Sequence, residues 1–283
     1  MSSYIHGDNI AQKKTHPTKY KSAEHVKCLA DIENRYNAWK LANIELKGVD
    51  EKTVAARTKL LNEYKDFVDQ QQYAEMFDSR SNLHSTVLEE FPVYLFGDAV
   101  PNLDLQPIIG KGETFKSFYL APRNFRDLLE KPEILVETKD HDFMIGTTIS
   151  ATFHNKQDQD IAKAAFQIPA IAIECKTYLD KTMLEGASIS AEELKRINPS
   201  ARYIIVAEWL KLTESVNLRK YRIDQIYVMR KQKNTDREFR YDETYVKNPI
   251  YGDLVWDLFS YVIDYLSADR WDIEAAIKRG KLL

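Results

Sequence analysis

The stretch "IPAIAIECKTY", residues 168–178, has the pattern of a β-strand that is buried on both faces and ends in charged residues. Side chains two residues apart in a strand point to the same side of the sheet. We therefore expect Ala172, Glu174 and Lys176 to share one face. The intervening Ile173 and Cys175 should continue the core on the other face. An unpaired buried charge is costly, so the charged pair needs compensation by each other, by water, or by a metal ion with an anionic substrate.

The composition is that of a soluble globular protein, with 44% hydrophobic and 29% charged residues in a chain of 283. A net charge of −3 excludes a protein that coats nucleic acid through bulk charge, although it permits a local basic groove. The polar N-terminus lacks a signal-peptide pattern, and no stretch approaches the ~18 apolar residues of a membrane span. Two widely separated cysteines, Cys28 and Cys175, fit a reduced protein. These features predict a cytoplasmic location and no membrane contact.

Two long helical patterns open the chain, at residues 22–46 and from 50 to about 77. We expect residues 1–78 to form a helical N-terminal region, which either packs on the main core or serves as a contact lobe for a second subunit or DNA. Residues 79–283 should form the functional core with a helical tail. A third helical pattern covers residues 81–96, where Pro92 should kink or end the helix.

After Pro132 the sequence changes to strand patterns, with one helical pattern at residues 181–197. The five expected strands cover residues 133–138, 142–153, 170–178, 202–212 and 223–231. The fold class is therefore α/β, with a central mixed β-sheet flanked by helices and a helical N-terminal region.

Acidic residues precede the second expected strand. Asp140 and Asp142 come just before an apolar run, and Asp142 lies 32 residues before Glu174. An aspartate at the start of one strand and a glutamate at the end of a neighbouring strand can converge on one divalent cation. Mg²⁺ favours such a site, because it binds one or two carboxylates together with waters and phosphate oxygens. A lysine beside them, here Lys176, can orient water and offset charge growing on a phosphate.

This arrangement resembles the D…(D/E)-x-K signature of the PD-(D/E)xK nuclease superfamily, with Asp142 followed by Glu174 and Lys176. His141 stands where these enzymes usually have proline, so Asp140 remains an alternative to Asp142. "IECKTYLDKTMLEG", followed by a helix and "YIIVAEW", resembles the type II restriction enzymes of the BbvCI and DdeI kind.

The stretch "SRSNLHSTVLEEFPVYLF", residues 79–96, is similar to a helix found upstream in many restriction endonucleases of this superfamily. In those enzymes a glutamate of the helix joins the metal site. Glu90 is the expected counterpart here, and its neighbour Glu89 is the alternative. The whole resemblance covers residues 79–212.

The resemblance implies an Mg²⁺-dependent endonuclease that cuts double-stranded DNA at a specific sequence and leaves a 5′-phosphate and a 3′-hydroxyl. Asp142, Glu174, the Cys175 carbonyl and Glu90 would hold the metal, and Lys176 would orient the attacking water.

A double-strand cut needs two such sites, so we expect a homodimer or a heterodimer with a related subunit, and the resemblance points to the heterodimer. Three alternatives remain. The chain would be a repair or recombination nuclease of the same fold, a catalytically silent DNA-binding subunit, or an α/β interaction protein in which Glu174 and Lys176 merely pair.

Overall fold

The computed structural model of the chain describes residues 4–77, 81–100, 107–155, 160–233, 244, 246–268 and 273–280. The helices are α1 (Ile5–Thr15), α2 (Ala23–Glu45), α3 (Glu51–Val68), α4 (Gln71–Met76), α5 (Thr86–Phe96), α6 (Phe125–Glu130), α7 (Lys181–Ile197), α8 (Gly252–Ser267) and α9 (Ile273–Arg279), with a 3-10 helix at Leu218–Lys220. The strands are β1 (Ile108–Leu120), β2 (Ile134–His154), β3 (Asp160–Leu179), β4 (Arg202–Leu210) and β5 (Gln225–Val228).

The N-terminal helices begin where the sequence supplies capping residues. The Ser22 side chain accepts a hydrogen bond from the backbone of His25 at the start of α2, and Asp50 does the same with Thr53 at the start of α3. The second expected helix is divided, because α3 ends at Val68 and α4 follows as a separate helix. None of the helices in the described ranges is long and apolar enough to cross a membrane.

The five strands form one mixed sheet in the order β1-β2-β3-β4-β5. Strand β2 pairs antiparallel with β1 and with β3, whereas β4 pairs parallel with β3 and with β5. Two sequence predictions were incomplete here. Strand β1 was not predicted, and the strands expected at residues 133–138 and 142–153 are the two halves of β2.

Hydrophobic cores cover both faces of the sheet, which confirms the predicted α/β fold class. One core contains the N-terminal helices, α5 and α8, and it includes Ile173 and Cys175 of β3. The other core lies under α7 and includes Ala172. The alternation expected for the strand at residues 168–178 is therefore present, with the face that carries Ala172 leading to Glu174 and Lys176. The division of the chain after residue 78 stays a prediction.

Helix α5 does not end at Pro92, which was one of the two expected outcomes, and continues to Phe96. Proline has no N–H, so it cannot bond the carbonyl of Leu88 one turn earlier in the helix. The buried thiol of Cys175 takes that place, with its Sγ 3.4 Å from the Leu88 carbonyl oxygen. A donor from β3 thus satisfies the carbonyl and ties α5 to the strand that carries Glu174 and Lys176.

A fork between β2 and β3 creates the space for a site. The two strands are paired from His154 opposite Asp160 as far as Phe143 opposite Ile173. Beyond that pair, β2 remains with β1 while β3 continues beside β4 to Leu179. Asp142 on β2 and Glu174 on β3 are the next residues, so both lie at the point where the strands separate.

Candidate active site

A β-bulge sets the position of Asp142. Gly110 pairs with Met144 and Gly112 with His141, so Lys111 of β1 faces two residues of β2, Asp142 and Phe143. Bulges of this kind are common beside active sites, where they redirect side chains. Gly110 has a φ of 128°, which other residues rarely adopt, and a Cβ on Gly112 would overlap the Met144 side chain. The two glycines flanking Lys111 therefore permit the bulge.

Asp142, Glu174 and Lys176 meet at the fork. Asp142 Oδ2 accepts a hydrogen bond of 2.9 Å from the Cys175 backbone N–H. Lys176 Nζ lies 2.6 Å from Glu174 Oε1 and 3.5 Å from Asp142 Oδ2. The hydroxyl of buried Tyr203 donates to Glu174 Oε2 over 3.3 Å and so helps to fix the carboxylate. The structure thus brings together the three residues that the sequence analysis proposed as catalytic.

The electrostatics of the site reflect crowded, partly buried charges. Burial, followed by the charge of Glu174, raises the pKa of Asp142 against the opposing effect of Lys176. Burial disfavours the charged form of Lys176, but the charges of Asp142 and Glu174 outweigh it and raise the lysine pKa above its ordinary value. The ammonium therefore stays protonated and compensates the two carboxylates.

Glu89 of α5 is a fourth charged member of the site. Burial raises the pKa of this carboxyl to about 7, with a further contribution from the charge of Asp142. Lys111 and Lys176 act on it in the opposite direction. The sequence analysis did not separate Glu89 from Glu90, and it did not identify Lys111, because both assignments depend on how α5 and β1 pack against the fork.

Glu90, the next residue, points about 100° away from Glu89 around α5 and is fully buried. Its Oε1 accepts hydrogen bonds from the hydroxyls of Tyr94 (2.6 Å) and Tyr36 (3.0 Å). Its Oε2 accepts from the backbone N–H groups of His6 (2.8 Å) and Gly7 (3.3 Å) in the first turn of α1. Both oxygens are thus engaged in holding the N-terminal helices, which argues against the expected role of Glu90 as a metal ligand.

We predict opposite effects for the two neighbouring glutamates. Glu90→Gln replaces a charged acceptor of four hydrogen bonds by an amide, so it should lower the free energy of unfolding by about 2 kcal/mol. Glu89→Gln should leave the stability unchanged or higher, because it removes a repelled carboxylate, while slowing DNA cleavage. Urea unfolding and a cleavage assay on both variants make the comparison. Slower cleavage by folded Glu90→Gln, with normal cleavage by Glu89→Gln, would reverse the assignment.

Asp140 and His141, which the sequence analysis weighed at the start of the second expected strand, lie next to the site without joining it. Asp140 is exposed on the part of β2 that pairs only with β1, where it lies opposite Glu113. His141 is buried, and its ring lies edge-on to Tyr203 with 5.7 Å between ring centroids. Burial lowers the pKa of His141 to about 4, so the ring is neutral near pH 7.

The donor set fits a hard divalent cation. Asp142, Glu174 and Glu89 supply three carboxylates, and Lys111 and Lys176 supply two cations, so negative charge remains in a partly buried place. Oxygen donors of this kind are those that Mg²⁺ takes. Within the described residues, no three His, Cys, Asp or Glu side chains already stand at metal-binding positions. Lys176 Nζ occupies the space between the carboxylates of Asp142 and Glu174.

Comparison with known proteins adds two findings. Residues 80–280 match the family model described as Bpu10I restriction endonuclease. A solved structure described as "native BbvCI A2B2 tetramer at low resolution" has a similar fold, with a TM-score of 0.66 and 19% sequence identity. The similarity covers 93% of this chain and 98% of that one. No curated protein matches the chain in sequence.

Proposed function

Because the chain belongs to the Bpu10I restriction endonuclease family, and is thus a site-specific endonuclease, we propose that it cuts DNA at the fork between β2 and β3 in an Mg²⁺-dependent reaction. The observation that carries this proposal is the meeting of Asp142, Glu174 and Lys176 in one partly buried cluster. An ion pair without function would not need the bulge that aims Asp142 at the other two, or the Tyr203 hydroxyl that holds Glu174.

In the proposed reaction, water attacks the phosphorus of a phosphodiester and the bond to the 3′ oxygen breaks. The products are a 5′-phosphate and a 3′-hydroxyl, whose proton comes from water. Asp142, Glu174 and Glu89 would hold Mg²⁺, with the Cys175 carbonyl as a further ligand. When bound, the metal supplies Lewis-acid stabilisation of charge and lowers the pKa of bound water. Lys176 orients the attacking water and offsets the charge that grows on the phosphate.

The direct test uses unmethylated phage DNA with Mg²⁺ or with EDTA, followed by sequencing of the ends. A restriction enzyme gives discrete fragments with one common end sequence, in Mg²⁺ only. Structure-dependent nicking would instead favour a repair or recombination nuclease, and binding without cleavage a silent subunit. The chain should be assayed alone and together with the product of the neighbouring gene, since the active form is proposed to contain a related subunit.

We also propose that the chain works as one half of a dimer, as a homodimer or with a related subunit. Each chain contributes one such site, and each site cuts one strand. The similar BbvCI structure is described as an A2B2 tetramer, which supports assembly from related chains. The N-terminal helices offer a surface for it, because Val26, Leu41 and Ile44 of α2 expose 56%, 56% and 39% of their surface. Free Cys28 and Cys175 support action in the reducing cytoplasm.

A dimer with one inactive half should nick DNA. We expect Glu174→Gln in only one subunit to convert supercoiled plasmid to the relaxed circle without linear product. Agarose electrophoresis over time measures this, with the fully active dimer as the control. Linear DNA formed at the normal rate by the half-inactive dimer would show that one site cuts both strands, and the dimer argument would fail.

A further inference from the structure

A cavity of about 380 Å³ lies past the carboxyl ends of the parallel strands β3 and β4. The Lys211 backbone N–H donates to the Leu179 carbonyl over 2.8 Å, so the two strands end side by side. Helix α7 begins directly after β3, and the chain beyond β4 closes the cavity. Its lining includes Lys181, Lys211, Thr213, Ser215, Lys220 and Tyr221. In open α/β sheets, the carboxyl ends of parallel strands are the usual place for a ligand.

The three lysines make the cavity basic, and they are only weakly engaged elsewhere. The Lys211 ammonium lies 5.7 Å from the ring centre of Tyr178, and that of Lys220 lies 4.7 Å from the ring centre of Tyr221. Lys181 has a carboxylate at 3.9 Å, that of Glu185 one turn along α7. Within the described residues, Lys211 and Lys220 have no carboxylate within 4 Å. The three positive charges are therefore available to an anion.

The cavity also offers hydroxyl donors. Tyr221 lines the cavity, but its hydroxyl oxygen is buried away from solvent and therefore does not face the open space. The hydroxyls of Thr213 and Ser215 lie 2.8 Å apart and bond each other. Lysines together with hydroxyls that can donate match the acceptor oxygens of a phosphate group.

The cavity and the proposed cleavage site lie along the same strand, β3. Tyr178 follows Lys176 by two residues on β3, so their side chains point to the same face. At about 3.3 Å per strand residue, the end of β3 at Leu179 lies about 17 Å from Glu174. A duplex that rises about 3.4 Å per base pair spans this distance in about five base pairs. A backbone phosphate a few nucleotides from the cut bond can therefore reach the cavity.

We propose that this cavity binds a backbone phosphate of the DNA substrate away from the cut bond, through Lys181, Lys211, Lys220 and the hydroxyls of Thr213 and Ser215. The inference rests on the proposed function, because it takes DNA as the ligand. Such a contact positions the duplex and adds affinity without reading its sequence. Sequence-independent binding is thus the property that should depend on the cavity.

The test measures binding of a fluorescent duplex of arbitrary sequence by anisotropy in EDTA, between about 50 and 200 mM salt. The variant K181Q/K211Q/K220Q is compared with K52Q/K59Q/K278Q, which removes the same charge from exposed lysines of α3 and α9. Lys59 is a close match for Lys181, because it also has a glutamate at 3.9 Å one turn along its helix. We expect the cavity variant to bind at least about tenfold more weakly, with a smaller slope of log affinity against log salt. The control should retain the wild-type slope.

Equal slopes of log affinity against log salt for the cavity and control variants would overturn the inference. It would also be overturned if the cavity variant bound DNA normally but lost affinity for AMP, because the cavity would then belong to a free nucleotide. Cleavage by the wild-type chain is recorded in parallel in Mg²⁺. A wild type that cuts while the cavity variant binds normally overturns only this inference. A wild type that neither binds nor cuts, both alone and together with the product of the neighbouring gene, overturns the proposed function and this inference with it.

Discussion

Glu174→Gln should reduce DNA cleavage by a factor of about 10³ or more while leaving DNA binding intact. The substitution keeps the shape of the side chain and its contact with Tyr203, but it removes the charge that would hold Mg²⁺. Asp142→Asn should have the same effect, because its carboxylate shares the Lys176 ammonium with Glu174. Single-turnover cleavage and anisotropy on the same DNA measure the two properties separately. Affinity without metal is expected to rise slightly, since less negative charge then faces the phosphates.

Asp140→Asn is the matched control for Asp142→Asn. Asp140 lies two residues earlier on the same strand, but its side chain is exposed. It should cut at the normal rate and bind metal normally. Loss of cleavage in Asp140→Asn with normal cleavage in Asp142→Asn would show that the metal ligand on β2 was wrongly assigned.

Lys176→Met should slow cleavage by about 10² to 10³ without preventing metal binding. The methionine keeps most of the side-chain length but removes the ammonium that lies 2.6 Å from Glu174 and 3.5 Å from Asp142. Two partly buried carboxylates then face each other without compensation, so the variant should be less stable in EDTA than the wild type. Adding Mg²⁺ should restore more stability to the variant than to the wild type. Thermal unfolding with and without metal tests this coupling.

Lys176→Arg should not rescue the rate, because a planar guanidinium does not fit the place of a compact ammonium between two carboxylates. Lys139→Met, at an exposed position on β2, provides the control for loss of a lysine near the site. Cleavage at the wild-type rate by Lys176→Met would exclude a catalytic role for this lysine. If Mg²⁺ stabilised Lys176→Met and the wild type equally, the ammonium and the metal would not share the carboxylates.

The local structure that carries Glu174 and Lys176 was predicted correctly from the sequence. Side chains in a strand alternate, so the placement of Glu174 and Lys176 opposite Ile173 and Cys175 could be inferred from residues 168–178 alone. Helix α7 was predicted with its observed bounds, because Asp180 caps its first turn and its apolar residues recur at helical spacing.

The remaining parts depend on contacts between distant segments. Strand β1 was not recognised, because its glycines and Lys111 interrupt the alternation and serve the bulge opposite Asp142. Glu89 and Glu90 are adjacent and chemically identical, so only the packing of α5 distinguishes them. The pairing of β2 with β1 past the fork, which gives the site its opening, likewise leaves no signal in either strand alone.

The contact between the Leu88 carbonyl and the Cys175 thiol determines how α5 is rotated about its own axis. Successive residues of a helix point about 100° apart, so a rotation by one position would exchange the places of Glu89 and Glu90. Pro92 leaves one carbonyl without a donor in its own helix, and only one rotation presents that carbonyl to the thiol on β3. The missing N–H of Pro92 thus helps to decide which of two identical side chains lies beside Asp142 at the proposed active site and which holds the N-terminal helices.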